Sequence, residues 1–148
     1  MADFFFAGAE VTPEGKRFLA EIKKLTESVI HVGFQAGQDH YEDGTDLVDV
    51  AAYNEFGASD IPARPFMKQS FENHDPELKA ACTAAYQKVS TGGTAEQALR
   101  ELGVFAKGLI QEEIVNGSFE PNAPSTIKKK GSERPLIDTG FMRQSVNY

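Results

Sequence analysis

The sequence predicts an α+β fold: several helices, including one long helix, packed on a small, mainly antiparallel sheet, with long loops. Three observations carry that reading. An apolar helical period runs between a capping-box pair, Thr94 and Gln97, and an Asn116-Gly117 stop. Ile30, Val32 and Phe34 alternate with His31 and Gly33, the period of a half-buried strand. Two polar stretches containing Gly or Pro, 36–45 and 118–135, are too long for tight turns.

Each element follows from its residues. Thr12 is placed as the N-cap of a first helix with Pro13 at its first position, and Phe18, Leu19, Ile22 and Leu25 fall on its inward face. Residues 29–35 then form a strand. After the 36–45 loop, Thr45 or Asp46 caps a short helix whose Leu47, Val50, Ala51 and Asn54 share a face, and Gly57 ends it. Pro62 and Pro65 hold Ile61 and Arg64 extended, and Pro65 opens a helix through Phe66, Met67 and Phe71. Asp75 and Pro76 start the next helix, with Leu78, Cys82, Ala85 or Tyr86, and Val89 inward, until Gly92-Gly93 breaks it. The long helix, 95–115, turns Leu99, Leu102, Phe105 or Ala106, and Leu109 inward. The 118–135 loop has room for one helical turn near Thr126. Asp138 or Thr139 caps a last short helix, and 146–148 begins a strand.

The chain has 148 residues, 41% hydrophobic and 25% charged, which predicts one domain spanning 1–148 with an ordinary core. Residues 1–9 lack a basic start and a long apolar run, so no signal peptide is expected, and no apolar run reaches the ~20 residues that span a bilayer. A net charge of −7 argues against a primary nucleic-acid binder. The charge is unevenly spread. No Lys or Arg occurs between Lys24 and Arg64, whereas Lys128, Lys129, Lys130 and Arg134 lie close together. Such an acidic face and basic strip suit head-to-tail contact between copies or contact with a complementary partner; two solvated loops explain them equally well.

Residues that point to chemistry have plainer explanations. Leu136-Ile137-Asp138-Thr139-Gly140 matches the surroundings of an aspartic-protease carboxylate, which works only when paired with a twin. Only Phe141 to Tyr148 follow it, and a capping role explains the same residues. The Asp39-to-Gly44 run departs from a calcium loop at Tyr41 and again at Val50. His31, His40 and His74 lack metal-ligand spacing, and His31 reads as a hydrogen-bonded sheet residue. Cys82, the single cysteine, reads as a small buried hydrophobe.

Two segments carry more. The first is Val48-Asp49-Val50-Ala51-Ala52-Tyr53-Asn54-Glu55-Phe56-Gly57, followed by Ile61-Pro62-Ala63-Arg64-Pro65-Phe66-Met67. The second is Pro135-Leu136-Ile137-Asp138-Thr139-Gly140-Phe141-Met142-Arg143-Gln144-Ser145-Val146. Together they resemble the tail-completion or neck-protein family of tailed bacteriophages, the family described as similar to minor tail protein Z. There an A-x-x-x-E-F-G helix end precedes I-P-A-R-P-F, and L-I-D-T-G-x-L-R-x-S comes near the C-terminus. Met142 stands here for the usual leucine, a volume-conserving swap.

The resemblance implies a structural virion protein at the head–tail interface, assembled as a homo-oligomeric ring, a hexamer favoured, against other neck, connector and tail proteins. It implies no catalytic residue, no cofactor and no metal. DNA would pass nearby at most, with no membrane involved, and the protein would reside in the virion after assembly in the host cytoplasm. The residues of the implied interface motif are Glu55, Phe56, Gly57, Ile61, Pro62, Arg64, Pro65, Phe66, Asp138, Thr139, Gly140 and Arg143. Phe56 and Phe66 are expected to anchor the motif to the core. Arg64 is expected to pair with Glu55 or with a partner's carboxylate, or else to fix the loop within its own subunit. The alternatives are a tail terminator or another phage assembly factor, or an aspartic-type hydrolase using the Asp-Thr-Gly segment.

Overall fold

A computed structural model describes residues 10–131, 133–136 and 140–148. In chain order the helices are α1 (Pro13–Glu27), α2 (Leu47–Phe56), α3 (Phe66–Asn73), α4 (Asp75–Ser90), α5 (Ala95–Asn116), α6 (Pro124–Lys130) and α7 (Phe141–Gln144). Of the described residues 61% are helical, which overturns the α+β expectation. Among the described residues there is no strand and no sheet, only isolated antiparallel bridges of Gly33 with Asn147, His40 with Asp46, and Ala58 with Ile61.

The physical reason lies in residues 29–35 and 146–148. Gly33 and Asn147 exchange both backbone hydrogen bonds, at 2.9 and 2.8 Å, and the pairing goes no further. Gly33 takes φ 149, a conformation open to glycine, which bends the run away from a regular ladder. Val32 and Phe34 are half-buried because they pack on the helical core. The alternation therefore reports one buried side rather than a hydrogen-bonded sheet. His31 is exposed and is not a sheet residue.

Helix ends follow local chemistry closely. The Thr12 hydroxyl accepts from Gly15 N–H at 3.1 Å, and Asp46 rather than Thr45 caps α2, accepting from Val48 N–H at 2.9 Å. Thr94 and Gln97 form both bonds of a capping box at α5. Gly117 N–H closes the far end of α5 on the Glu113 carbonyl at 2.8 Å.

Two cores lie along α5, whose 22 residues span about 33 Å at the usual helical rise. Its first turns pack with α1 and α4 around Leu25, Ala85, Val89, Ala95 and Ala98. Its last turns pack around Leu47, Ala51, Phe66, Ile110, Ile114, Met142 and Val146. The first core is built largely from alanines, and this corrects several expected inward positions. Phe18 and Leu19 remain exposed while Leu25 is buried, with Ile22 packed beside it. On α4, Ala85 and Val89 are inward, whereas Tyr86 and Cys82 are exposed, so Cys82 is not a core residue. On α5, Ala106 is inward and Phe105 is on the outer side. Helices that meet through small side chains leave little room for large ones between them.

Glu21 couples α1 to α5. Its Oε2 accepts from the Ala95 backbone N–H at 2.8 Å, giving one of the N–H donors at the α5 N-terminus an acceptor. That hydrogen bond holds the Glu21 carboxyl below the usual carboxylate range, against the opposing effect of its partial burial, and Lys24 adds to the lowering. Asp46 is lowered in the same way, first by Val48 N–H and further by Gly37 N–H, again against burial. Both groups favour the ionised form in the folded chain. Their stabilisation is therefore complete above the unfolded carboxylate pKa of roughly 4 and is lost as pH falls through the lower folded values. Urea midpoints are expected to fall on acidification, and Glu21→Gln is expected to be less stable than wild type near neutrality with a shallower acid loss. A Glu21→Gln variant that retained the whole wild-type acid dependence would remove Glu21 from this account.

Candidate functional site

The corner between α2 and α3 gathers most of the motif residues, and each is placed by its own chemistry. Gly57 ends α2 at φ 78 and ψ 167, with its N–H on the Tyr53 carbonyl. That region of backbone space is essentially restricted to glycine. A Cβ there would also lie 3.0 Å from Ala63 N and 3.1 Å from the Ile61 carbonyl oxygen. Gly57→Ala is expected to destabilise by about 1–3 kcal/mol, read as a shift in urea midpoint at unchanged slope. A loss under ~0.5 kcal/mol, the range of an ordinary surface substitution, would mean that the corner relaxes freely.

Beyond Gly57 the chain doubles back. Ala58 N–H donates to the Ile61 carbonyl at 2.8 Å and Ile61 N–H returns to the Ala58 carbonyl at 3.2 Å. Ile61 and Pro62 sit exposed on the outside of this turn, and the chain then dives inward at Arg64. Arg64 is only 6% exposed. Its Nε donates to the Glu120 carbonyl at 2.7 Å and its Nη2 to the Pro121 carbonyl at 3.1 Å. Of the roles the sequence left open, the structure supports the internal one: Arg64 fixes the start of the 118–135 segment to the corner of its own chain. Burial pulls the guanidinium pKa down, and the Glu120 charge opposes that shift.

Glu55 does not pair with Arg64. Its two carboxylate oxygens accept from Met67 N–H at 2.9 Å and Lys68 N–H at 3.1 Å. Helix α3 has Pro65 at its N-cap position and no capping side chain of its own, so Glu55 supplies that function from α2. Sequence reasoning missed this role because the distance of 12 and 13 positions matches no local capping pattern. It also missed Glu113, a buried carboxylate on α5 that accepts from Asn73 Nδ2 at 3.3 Å.

The two motif phenylalanines part ways. Phe66 is fully buried, with its ring edge-to-face on Phe34. Phe56 is 81% exposed and is not a core anchor, because the last turn of α2 points it away from α3 and α5. In the second motif, Gly140 opens α7 at φ 78, and Met142 and Val146 enter the same core as Phe66. Arg143 is exposed, and its carbonyl accepts from Gln111 Nε2 on α5 at 3.0 Å. Asp138 and Thr139 lie outside the described residues, but the N-cap position of α7 is Gly140, which has no side chain to cap with, so neither is the N-cap expected of the last helix.

A cavity of about 730 Å³ opens beside the corner, bordered by Tyr41, Tyr53, Arg64, Asn122, Thr126 and Phe141. Asp43 and Lys130 share its rim. The Asp43 carboxyl is held low, first by the Thr45 backbone N–H and then by the Thr45 side chain, and the Lys129 charge contributes. The acidic stretch and the basic α6 thus meet within one chain. Among the described residues, no group of three or more His, Cys, Asp or Glu side chains is arranged to hold a metal ion. Nor is any described helix long and apolar enough to cross a membrane. No protein-family model, curated protein or solved structure matches this chain.

Proposed function

We propose that this protein is a structural component of a tailed-phage virion that joins or completes the tail at the head–tail interface, without a catalytic step. It acts by assembling as a ring of copies, six being favoured, and by contact with neighbouring connector and tail proteins. The resemblance of its two motif segments carries the proposal, together with one observation about how they fold. Ala51 and Phe66 from the first segment and Met142 and Val146 from the second close on one buried cluster. Segments far apart in sequence thus act as one structural unit, and their chemistry is that of shape: a glycine turn, two prolines, a buried arginine and a buried aromatic. The 36–45 loop and the 118–135 segment, which carries α6, are the proposed contact surfaces.

Native mass spectrometry over a concentration series tests the reading, with a closed ring as the expected species. A chain that stayed monomeric throughout and failed to bind purified phage connector or tail assemblies would sink it. A dimer that hydrolysed peptides, with the activity lost in Asp138→Asn, would replace it with the hydrolase reading.

A further inference from the structure

We propose that copies of this chain associate head to tail, with the first half of α1 of one copy docked on the outer face of α2 of the next. The junction does not rest on the virion reading. Association through these two faces by a chain that binds no phage part would keep the junction and sink that reading. A ring built through other faces would do the reverse.

The first face belongs to α1. An amphipathic helix buries its apolar stripe against whatever lies beside it. The stripe of α1 is Phe18, Leu19, Ile22 and Leu25, and the fold covers only its second half. Leu25 is buried with Ile22 packed beside it, whereas Phe18 and Leu19 are 41% and 45% exposed. Residues 16–20 are exposed throughout, more than a full helical turn. Position explains this. Glu21 is bonded to Ala95, the first residue of α5, and Leu25 reaches the cluster of Ala95 and Ala98. The residues before Glu21 run on past the start of α5, where that helix offers them no surface.

The second face belongs to α2. Asp49, Tyr53 and Phe56 share the side of this helix opposite the buried Leu47 and Ala51. Tyr53 is 50% exposed and Phe56 81%, the largest exposure among the large hydrophobic side chains of the described residues. Beyond Gly57, the exposed Asp60 and Ile61 continue the same surface. Aromatic side chains left outside a core in this way are the usual anchors of a protein contact.

Two observations make each face the occupant of the other. The first is charge. Within the fully exposed residues 16–20 the only charges are Lys16 and Arg17, and on the outer stripe of α2 the only charge is Asp49. Pairing α1 with α2 sets opposite charges together, whereas pairing either face with its own copy sets like charges together. The second is placement. Helix α1 is fastened at Ala95, and α2 packs on Ile110 and Ile114. Ala95 and Ile110 lie about 22 Å apart along α5 at the usual helical rise, so the two faces stand at opposite ends of the chain and meet only between copies. A contact between two different faces is heterologous, and it continues from copy to copy until it closes as a ring or runs on as a filament.

The test is sedimentation and native mass spectrometry of the full chain, of Phe18→Ser, of Phe56→Ser and of their equimolar mixture. Both substitutions fall on exposed side chains, and unchanged urea midpoints check that the fold is kept; Leu19→Ser and Tyr53→Ser form a second pair for the same purpose. The wild-type chain is expected to assemble beyond a dimer, and each variant alone to associate about tenfold or more weakly, the effect of losing an anchor. The mixture is expected to stop at a dimer of one variant with the other, because it holds one intact α1 face and one intact α2 face. Lys16→Glu with Arg17→Glu is expected to weaken assembly, and Asp49→Lys in the same chain to restore part of it. A wild-type monomer at every concentration overturns the proposal, as does a variant that assembles normally or a mixture that stays monomeric. Footprinting that finds Phe18 shielded in dilute monomer, and exposed once residues 1–9 are deleted, would assign the α1 face to the chain's own first residues and overturn it too.

Discussion

Phe66→Ala is expected to destabilise the fold by about 3–5 kcal/mol, the largest loss expected from a truncation at the α2–α3 corner. Phe66 is fully buried and belongs to the cluster that joins α2, α3, α5 and the C-terminal residues Met142 and Val146. Its ring centroid lies 6.1 Å from that of Phe34 at an interplanar angle of 70°, the edge-to-face arrangement that aromatic pairs prefer. Truncation removes that contact and opens a cavity at a meeting point of several helices, where no single element can move to fill it. A melting temperature lower by roughly 10 °C or more is expected for a chain of this size. Phe66→Leu, which keeps most of the volume, is expected to lose under about 1.5 kcal/mol. Equal losses for the two variants in urea titration would mean that the site relaxes and that the cavity argument is wrong.

Arg64→Ala is the second large effect, expected at about 2–4 kcal/mol. It removes two charge-assisted hydrogen bonds and leaves the Glu120 and Pro121 carbonyls without these donors at a partly buried site. The loss has a local signature as well. The Arg64 bonds tie residues 120–121 to a corner 56 and 57 positions earlier, so proteolysis within 118–123 is expected to accelerate more than cleavage elsewhere. Arg64→Lys is expected to rescue only part of the stability, because an ammonium does not reproduce the fixed fork of a guanidinium. A loss below ~0.5 kcal/mol with unchanged proteolysis would show that the arginine bridge contributes little.

These effects cut across what is legible in the sequence. The capping residues at Thr12 and Thr94 can be read directly, and the α2 cap to within the pair Thr45 and Asp46, because a cap bonds to a backbone N–H two or three positions on. The stops at Gly57 and Gly117 are equally legible. The motif segments can be found as strings, yet the roles within them cannot. Glu55 and Phe56 are neighbours, but one caps α3 and the other faces water. Which side of the last α2 turn meets another helix depends on where α3 returns. That return is set by the Gly57 turn and by the Arg64 bonds to a segment more than fifty positions away.

The sequence by itself determined the caps at Thr12 and Thr94, the stops at Gly57 and Gly117, the long α5, the charge asymmetry and the inward direction of Leu47, Ala51 and Leu109. All of these rest on interactions within one or two turns, or on the count of residues. Only the tertiary structure decided that residues 29–35 make one bridge and no sheet, that Phe18, Leu19 and Cys82 stay outside, and that Arg64 serves its own chain. The physical reason is common to all three. An alternating or helical apolar pattern states that one side of a segment meets something apolar, but the identity of that surface, and the room it leaves, belong to elements distant in sequence.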